Sequence, residues 1–132
     1  MSRLMIIGCG GVASVAVHKC CQNSQVFSEI MIASRTKSKC DALKEKLQGK
    51  TETKITTAQV DADNVEELTE LIRSYQPDAV LNLALPYQDL TIMDACLNAG
   101  VDYIDTANYE PEDTDDPQWR EIYEERCKKE GF

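Results

Sequence analysis

"RLMIIGCGGVA", Arg3–Ala13, is the stretch that decides the fold of this 132-residue chain. Leu4 to Ile7 form an unbroken apolar run, as a strand buried on both faces requires. The run stops at Gly8, and helical spacing starts directly after it. Gly8, Gly10 and Ala13 stand in the G-x-G-x-x-A order. That motif alone is weak, but here it joins a buried strand to a helix at the first strand-to-helix turn. Each position then has a mechanical role. Gly8 permits the tight turn. Gly10 lets the backbone approach a ligand without a Cβ in the way, and Ala13 lets the helix pack close to the strand. The free amides of Gly11 and Val12 at the positive helix end favour a diphosphate.

Outward from this turn, strand and helix patterns alternate. "GVASVAVHKCCQ" places Val12, Val15, Ala16, Lys19 and Cys20 at helical intervals, which predicts that face as the buried one. "SEIMIAS" reads as a second buried strand. "TKSKCDALKEKLQG" aligns Cys40, Leu43 and Leu47, with Gly49 as its C-cap. "KITTAQV" is the third strand. "NVEELTELIRSY" carries the stripe Val65, Leu68, Leu71, Ile72 and Tyr75 behind an Asn64–Glu67 capping box, and Pro77 stops it. "DAVLNLA" is the fourth strand. "QDLTIMDACLNAG" aligns Leu90, Met93 and Leu97 and closes at Gly100. "VDYIDT" is the fifth strand, and "PQWREIYEERCKKEGF" a last helix with Trp119, Ile122 and Tyr123 inward. Such alternation specifies a parallel sheet covered on both faces, with right-handed crossovers. The fold class is therefore α/β: a doubly wound parallel-sheet Rossmann domain in three layers, α/β/α, spanning residues 1–132.

The end of the second strand identifies the ligand. In NAD-binding domains an acid lies about 20 residues beyond the glycines and holds the ribose 2′-hydroxyl. Glu29 is near that distance, but it precedes the apolar run Ile30–Ala33 and so lies at the wrong end. The carboxyl end carries Ser34, Arg35, Thr36 and Lys37. Arg35 offers a donor fork to a 2′-phosphate and a plane to the adenine, and Ser34 and Thr36 add hydroxyls. The cofactor expected is NADP(H). Asp61 and Ala62, in "DAD", end the third strand near the adenine. Asn82, Leu83, Ala84 and Pro86, in "NLALPY", end the fourth strand where the nicotinamide should lie. Asp105 and Thr106, in "DTANYE", end the fifth. Three polar-tipped loops on one sheet edge make a crevice.

Charge and composition exclude other classes. A net charge of −9 argues against general binding to nucleic acid or to anionic membrane. Seven of the 14 basic residues nonetheless lie between Arg35 and Lys54, beside the expected phosphate site. Five acids crowd "EPEDTDD", Glu110–Asp116, as a solvated face would. The six cysteines form no CxxC pair, and no apolar run is long enough to span a membrane. Free thiols in a reducing cytoplasm account for them, packed as small hydrophobes. No His/Cys/Asp cluster has metal-ligand spacing, so no metal is expected. No Tyr-x-x-x-Lys pair is present, since Tyr123 is followed by Arg126 and Cys127. The one histidine, His18, falls in the first helix away from the crevice. These residues nominate no catalytic acid or base.

"IIGCGGVASVAVHK", "IASRTKSKCDALKEKL", "VDADN" and "NLALPYQDLTIMDACLNAGVDYIDTANYE" together resemble the N-terminal segment of the saccharopine dehydrogenase-like family, nearest its carboxynorspermidine dehydrogenase (synthase) branch. The resemblance covers nearly all of the chain. It implies an NADPH-dependent oxidoreductase that reduces an imine formed between an amine, either a diamine or an amino acid, and an amino-acid semialdehyde. Gly8, Gly10 and Ala13 match the family's phosphate loop, Ser34, Arg35 and Thr36 its 2′-phosphate site, and Asp61 and Ala62 its adenine loop. Family members continue into a substrate-binding and dimerisation domain, which this chain lacks. The resemblance thus implies an isolated cofactor domain, inactive by itself, of a parent that takes a small-molecule substrate and forms a homodimer. The alternative is a stand-alone nucleotide-sensing module, as in regulatory domains of ion transporters. Such sensors carry an acid at the second strand end, where this chain has none.

Overall fold

The structure, a computed structural model, describes residues 2–106 and 118–131. Strands and helices alternate throughout: β1 (Ser2–Ile7), α1 (Gly11–Cys21), β2 (Phe27–Ser34), α2 (Lys37–Leu47), β3 (Lys54–Gln59), α3 (Val65–Tyr75), β4 (Ala79–Asn82), α4 (Asp89–Ala99), β5 (Asp102–Asp105) and α5 (Gln118–Glu130). The five strands form one parallel sheet in the order β3-β2-β1-β4-β5. β1 therefore lies at the centre, paired with β2 on one side and β4 on the other. The chain reverses its direction of winding there, which is where an open α/β sheet splits to form a ligand crevice.

Alternation along β1 builds a core on each face. Leu4 and Ile6 pack with Ile30, Ile32, Ala13, Val17, Cys40 and Leu43 under α1 and α2. Met5 and Ile7 pack with Ala33, Leu68, Ile72, Val80, Ile92 and Cys96 under α3 and α4. Burying one such side chain contributes about 1.5–3 kcal/mol, so the central strands anchor both layers.

The expected faces of α2 and α3 are the observed ones: Cys40, Leu43 and Leu47 are buried on α2, and Leu68 and Ile72 on α3. Asn64 caps α3 by accepting from the Glu67 amide at 3.1 Å, a bond worth about 1 kcal/mol. The return half of the capping box is different, because the Glu67 carboxylate reaches the Asp61 amide. Gln76 closes α3 in the left-handed conformation just ahead of Pro77. Gly100 caps α4, while on α2 the C-cap is Gln48 and the left-handed Gly49 follows it.

Two helices present a face other than the expected one. On α1 the buried residues are Ala13, Val17 and Cys21, whereas Val12 and Val15 are 65% and 62% exposed. α1 is apolar on more than one side, and the position fixed by the glycine turn selects which side meets the sheet. On α4, Ile92, Ala95 and Cys96 are buried, and Leu90, Met93 and Leu97 are only half-buried. The same cause applies, since α4 also carries apolar residues around most of its circumference. On β5, Ile104 stands in register with Leu81 and is 53% exposed. The sheet beside α1 therefore has an apolar outer margin. α5 is tied to α4 by an Arg126–Asp94 ion pair. The Trp119, Ile122 and Tyr123 side chains, and the acidic run Glu110–Asp116, lie outside the described residues.

Candidate functional site

Backbone bonds beyond the regular ladders set four loops side by side at the carboxyl ends of the strands. The Gly8 amide donates to Ala33 O at 2.8 Å, and the Leu83 amide to Ile7 O at 2.8 Å. The Val60 amide donates to Ser34 O at 3.0 Å. The ends of β1, β2, β3 and β4 thus open into one crevice of about 290 Å³.

Gly8 has φ +114, and a Cβ there would lie 2.6 Å from Leu83 O. The turn can be this tight only because that position has no side chain. Gly10 is different: nothing lies within 4 Å of where its Cβ would be, and it lines the crevice. The space is left open to something other than protein. Gly10 is also the N-cap of α1 and makes no side-chain capping bond. The first helical bond runs from the Ser14 amide to Gly10 O, so the amides ahead of it have no helical acceptor.

At the β2 end, Ser34, Arg35, Thr36 and Lys39 line the same crevice. The Ser34 hydroxyl also has partners within the protein. Its hydroxyl bonds Thr36 O, receives the Thr36 amide, and lies 3.2 Å from Cys40 Sγ. It shapes the turn that presents Arg35. Lys37 turns along the helix to pair with Asp41 at 3.0 Å. Lys39, one helical step further on, reaches the crevice instead. Ala62 and Val60 form the wall at the β3 end, and Leu83, Ala84, Leu85 and Pro86 the wall at the β4 end. No carboxylate lines this crevice among the described residues.

Leu83, Ala84 and Leu85 are shared with a second hollow of about 160 Å³, which Val12, Asn82, Asp89 and Thr106 complete. Asn82 organises its floor. Its Oδ1 accepts from the Ala84 amide at 2.9 Å and its Nδ2 donates to Tyr103 Oη at 3.1 Å, while that phenol donates to Asp105 Oδ2 at 2.9 Å. Burial drives the Tyr103 phenol far above its ordinary value, the Asp105 and Asp89 carboxylates add to this, and Asn82 opposes it. The phenol thus keeps its proton and donates it in a hydrogen bond to Asp105. Asp89, 2% exposed at the start of α4, faces the hollow.

Of the residues expected at the site, Gly8, Gly10, Ser34, Arg35, Thr36, Ala62, Leu83, Ala84 and Pro86 meet in the first hollow, and Val12, Asn82 and Thr106 join at the second. Four lie elsewhere. Gly11 is exposed outside the lining, and Ala13 is buried beneath α1, where it sets the helix-to-strand distance. Asp61 accepts from the Asp63 amide at 3.0 Å and so shapes its loop. Asp105 serves Tyr103. Sequence reasoning missed Cys9, Lys39, Gln88, Asp89 and Tyr103. Lys39 was legible as a first-turn cation beside Arg35. Gln88 was not, because its role is a 3.2 Å bond to Asp63 that joins the β3 and β4 loops.

A family model described as the saccharopine dehydrogenase NADP binding domain matches residues 4–130. The chain belongs to that family. It is an NADP-binding domain of the saccharopine and carboxynorspermidine dehydrogenase-like oxidoreductases. It is 44% identical over 134 residues to a carboxyaminopropylagmatine dehydrogenase of Synechocystis sp., covering 100% of this chain and 33% of that protein. It is 42% identical over 109 residues to a carboxynorspermidine synthase of Vibrio alginolyticus, covering 79% of this chain and 26% of that one. The chain thus spans a third or less of the length of these relatives. In fold it is similar to the apo saccharopine dehydrogenase (L-Glu forming) of Saccharomyces cerevisiae, with a TM-score of 0.71 at 16% identity over 92% of this chain and 24% of that one. A UDP-glucose-4-epimerase of Stenotrophomonas maltophila shares the fold at a TM-score of 0.64 and 17% identity, over 82% of this chain and 37% of that one. Among the described residues no helix is long and apolar enough to cross a membrane, and no group of three or more metal-ligating side chains occurs.

Proposed function

We propose that this domain prefers NADPH to NADH and serves an oxidoreductase that reduces an imine between an amine and an amino-acid semialdehyde. One observation carries the cofactor preference: Arg35, Thr36 and Lys39 share a carboxylate-free crevice with the bare Gly10. The 2′-phosphate would lie against Arg35 and Lys39, and the diphosphate over Gly10 and the open start of α1. The nicotinamide would reach the hollow floored by Asn82 and Tyr103. When bound, the cofactor supplies the hydride that the imine carbon accepts. This chain's own residues bind and orient it: Leu83 and Leu85 give the ring an apolar wall, and the Asn82–Tyr103–Asp105 bonds hold that wall in place.

The names of the two relatives support a polyamine-type amine. Substrate binding and homodimer formation are assigned to a longer parent chain, so the domain alone is expected not to turn over. Calorimetry with both cofactors tests the preference. A charge-assisted bond from Arg35 is worth about 1.5–3 kcal/mol. NADPH should therefore bind at least about tenfold more tightly than NADH, and Arg35→Ala should remove most of the difference. Equal affinities in the unaltered chain would overturn the reading. For the reaction, the parent is assayed for NADPH loss with aspartate semialdehyde plus 1,3-diaminopropane, putrescine or agmatine. Activity on saccharopine alone would move it to the other branch of the family.

A further inference from the structure

We propose that Gln88 reads the adenine of the cofactor: its side-chain carbonyl, turned into the crevice by Asp63, accepts a hydrogen bond from the 6-amino group. This inference rests on the cofactor reading above and names a specificity-determining residue within it. Gln88 stands at the start of α4, where its main-chain carbonyl accepts from the Ile92 amide at 3.1 Å and from Thr91 Oγ1 at 3.0 Å. Those bonds hold its backbone. Its side chain makes no capping bond on α4. The residue is 8% exposed and lines the crevice, and its side chain crosses to the loop after β3, where Nε2 donates to Asp63 Oδ2 at 3.2 Å. The partner decides which way the amide faces. A carboxylate only accepts, so the NH2 end meets Asp63 and Oε1 is the end left over. Asp63 is itself held: its amide donates to Asp61 Oδ1 at 3.0 Å, and the Asn64 amide to Asp61 O at 3.0 Å, at the start of α3. Among the described residues Gln88 Oε1 has no protein partner, and it is not one of the side-chain oxygens sealed from solvent.

The rest of the lining shows why this acceptor matters. Val60, Ala62, Leu83 and Ala84 offer apolar surface to a flat base, and the charged side chains, Arg35 and Lys39, are donors only. Gln88 carries the only side-chain carbonyl in the lining among the described residues. Asp61, the acid at the end of β3, lies outside the lining and already holds the Asp63 amide. The ribose that carries the 2′-phosphate also carries the base. A phosphate held at Arg35 therefore puts the base between the β2 end and the neighbouring β3 end, where Ala62 stands one residue from Asp63. A 6-amino group donates to an acceptor there. A 6-keto group, as in hypoxanthine or guanine, is an acceptor itself and would set two oxygens against each other. The site should thus separate adenine from a 6-keto purine.

The whole 132-residue chain is titrated by calorimetry with NADPH, with NADH and with the hypoxanthine analogue of NADPH, in which a keto oxygen replaces the 6-amino group. The unaltered chain should bind NADPH at least about tenfold more tightly than the analogue. In Gln88→Leu that ratio should fall to within about twofold, while the NADPH-to-NADH ratio, which belongs to Arg35 and Lys39, is kept. Asp63→Asn, at an exposed position, is the second variant should Gln88→Leu fold poorly by circular dichroism. Its amide donates as well as accepts, so Gln88 is free to face it either way, and the ratio should again fall. Equal affinity of the unaltered chain for NADPH and the analogue overturns the proposal. So does a ratio that survives either substitution in a folded chain, because Gln88 would then only tie the two loops together. An unaltered chain that binds none of the three sinks the cofactor reading and this inference with it. A chain that separates NADPH from NADH but not from the analogue sinks this inference alone.

Discussion

Gly8 and Gly10 are two residues apart and bare for different reasons. At Gly8 the fold itself forbids a side chain: φ is +114, and the Leu83 carbonyl fills the space a Cβ would take. Gly8→Ala should therefore destabilise by about 2–5 kcal/mol, combining left-handed strain with a backbone clash. At Gly10 the protein leaves room for a side chain, and only the diphosphate in the proposed binding mode would forbid one. Gly10→Val should keep the circular dichroism spectrum and the melting point while abolishing NADPH binding. If Gly10→Val is folded and binds NADPH normally, the diphosphate does not lie there. The motif alone shows both glycines but not this division of labour, because spacing carries no information about what stands opposite each Cα. Ser34 teaches the same lesson. Its residue type marks it as a possible phosphate donor, while its actual partners, Thr36 and Cys40, make it a builder of the turn.

The helices differ in how much of their packing the sequence discloses. α2 and α3 have polar residues around a narrow apolar stripe, so only one rotation buries the stripe and the expected face is the observed one. α1 and α4 are apolar on several sides, and rotation is then decided by what the preceding turn allows. That information lies in the tertiary structure. A further contact that spacing does not reveal joins α2 to β3: Thr57 Oγ1 donates to Asp41 Oδ1 at 2.5 Å, and Lys37 pairs with the same carboxylate. The Thr57 hydroxyl first, and Lys37 second, hold the Asp41 carboxyl below its usual range near 3.8. A depressed folded value means the contribution to stability is present above the unfolded pKa and is lost as pH falls through the folded one. Thr57→Val should raise the Asp41 pKa measured by NMR. The stability gap between variant and parent should close as pH drops from about 6 to about 2. A gap that stays constant across that window would show that Thr57 acts through packing and not through the carboxylate.

Over the whole molecule the charge is divided. The chain carries a net −9, yet the segment from Arg35 to Lys54 holds half of its basic residues, and two of its cations, Arg35 and Lys39, meet in the crevice. The doubly wound parallel sheet was legible in the alternation of strand and helix, because right-handed crossovers leave few ways to arrange five parallel strands. The local sign of the field was legible in part, from the cluster of cations, but its direction required knowing that Lys37 turns to Asp41 while Lys39 turns to the crevice. An anionic cofactor therefore approaches a chain that repels it as a whole and attracts it at one end of one sheet edge. NADPH carries about two more negative charges than NADH, both on the phosphate that would meet that end. Salt screens exposed charges over about 8 Å at physiological ionic strength, and Arg35 and Lys39 are exposed. Raising salt should thus weaken NADPH more than NADH, so that their affinity ratio falls steadily between about 0.01 M and about 1 M. In Arg35→Ala the ratio should start lower and change less. A ratio in the unaltered chain that is independent of salt would place the discrimination in shape and uncharged hydrogen bonds, and Arg35 and Lys39 would lose the role assigned to them.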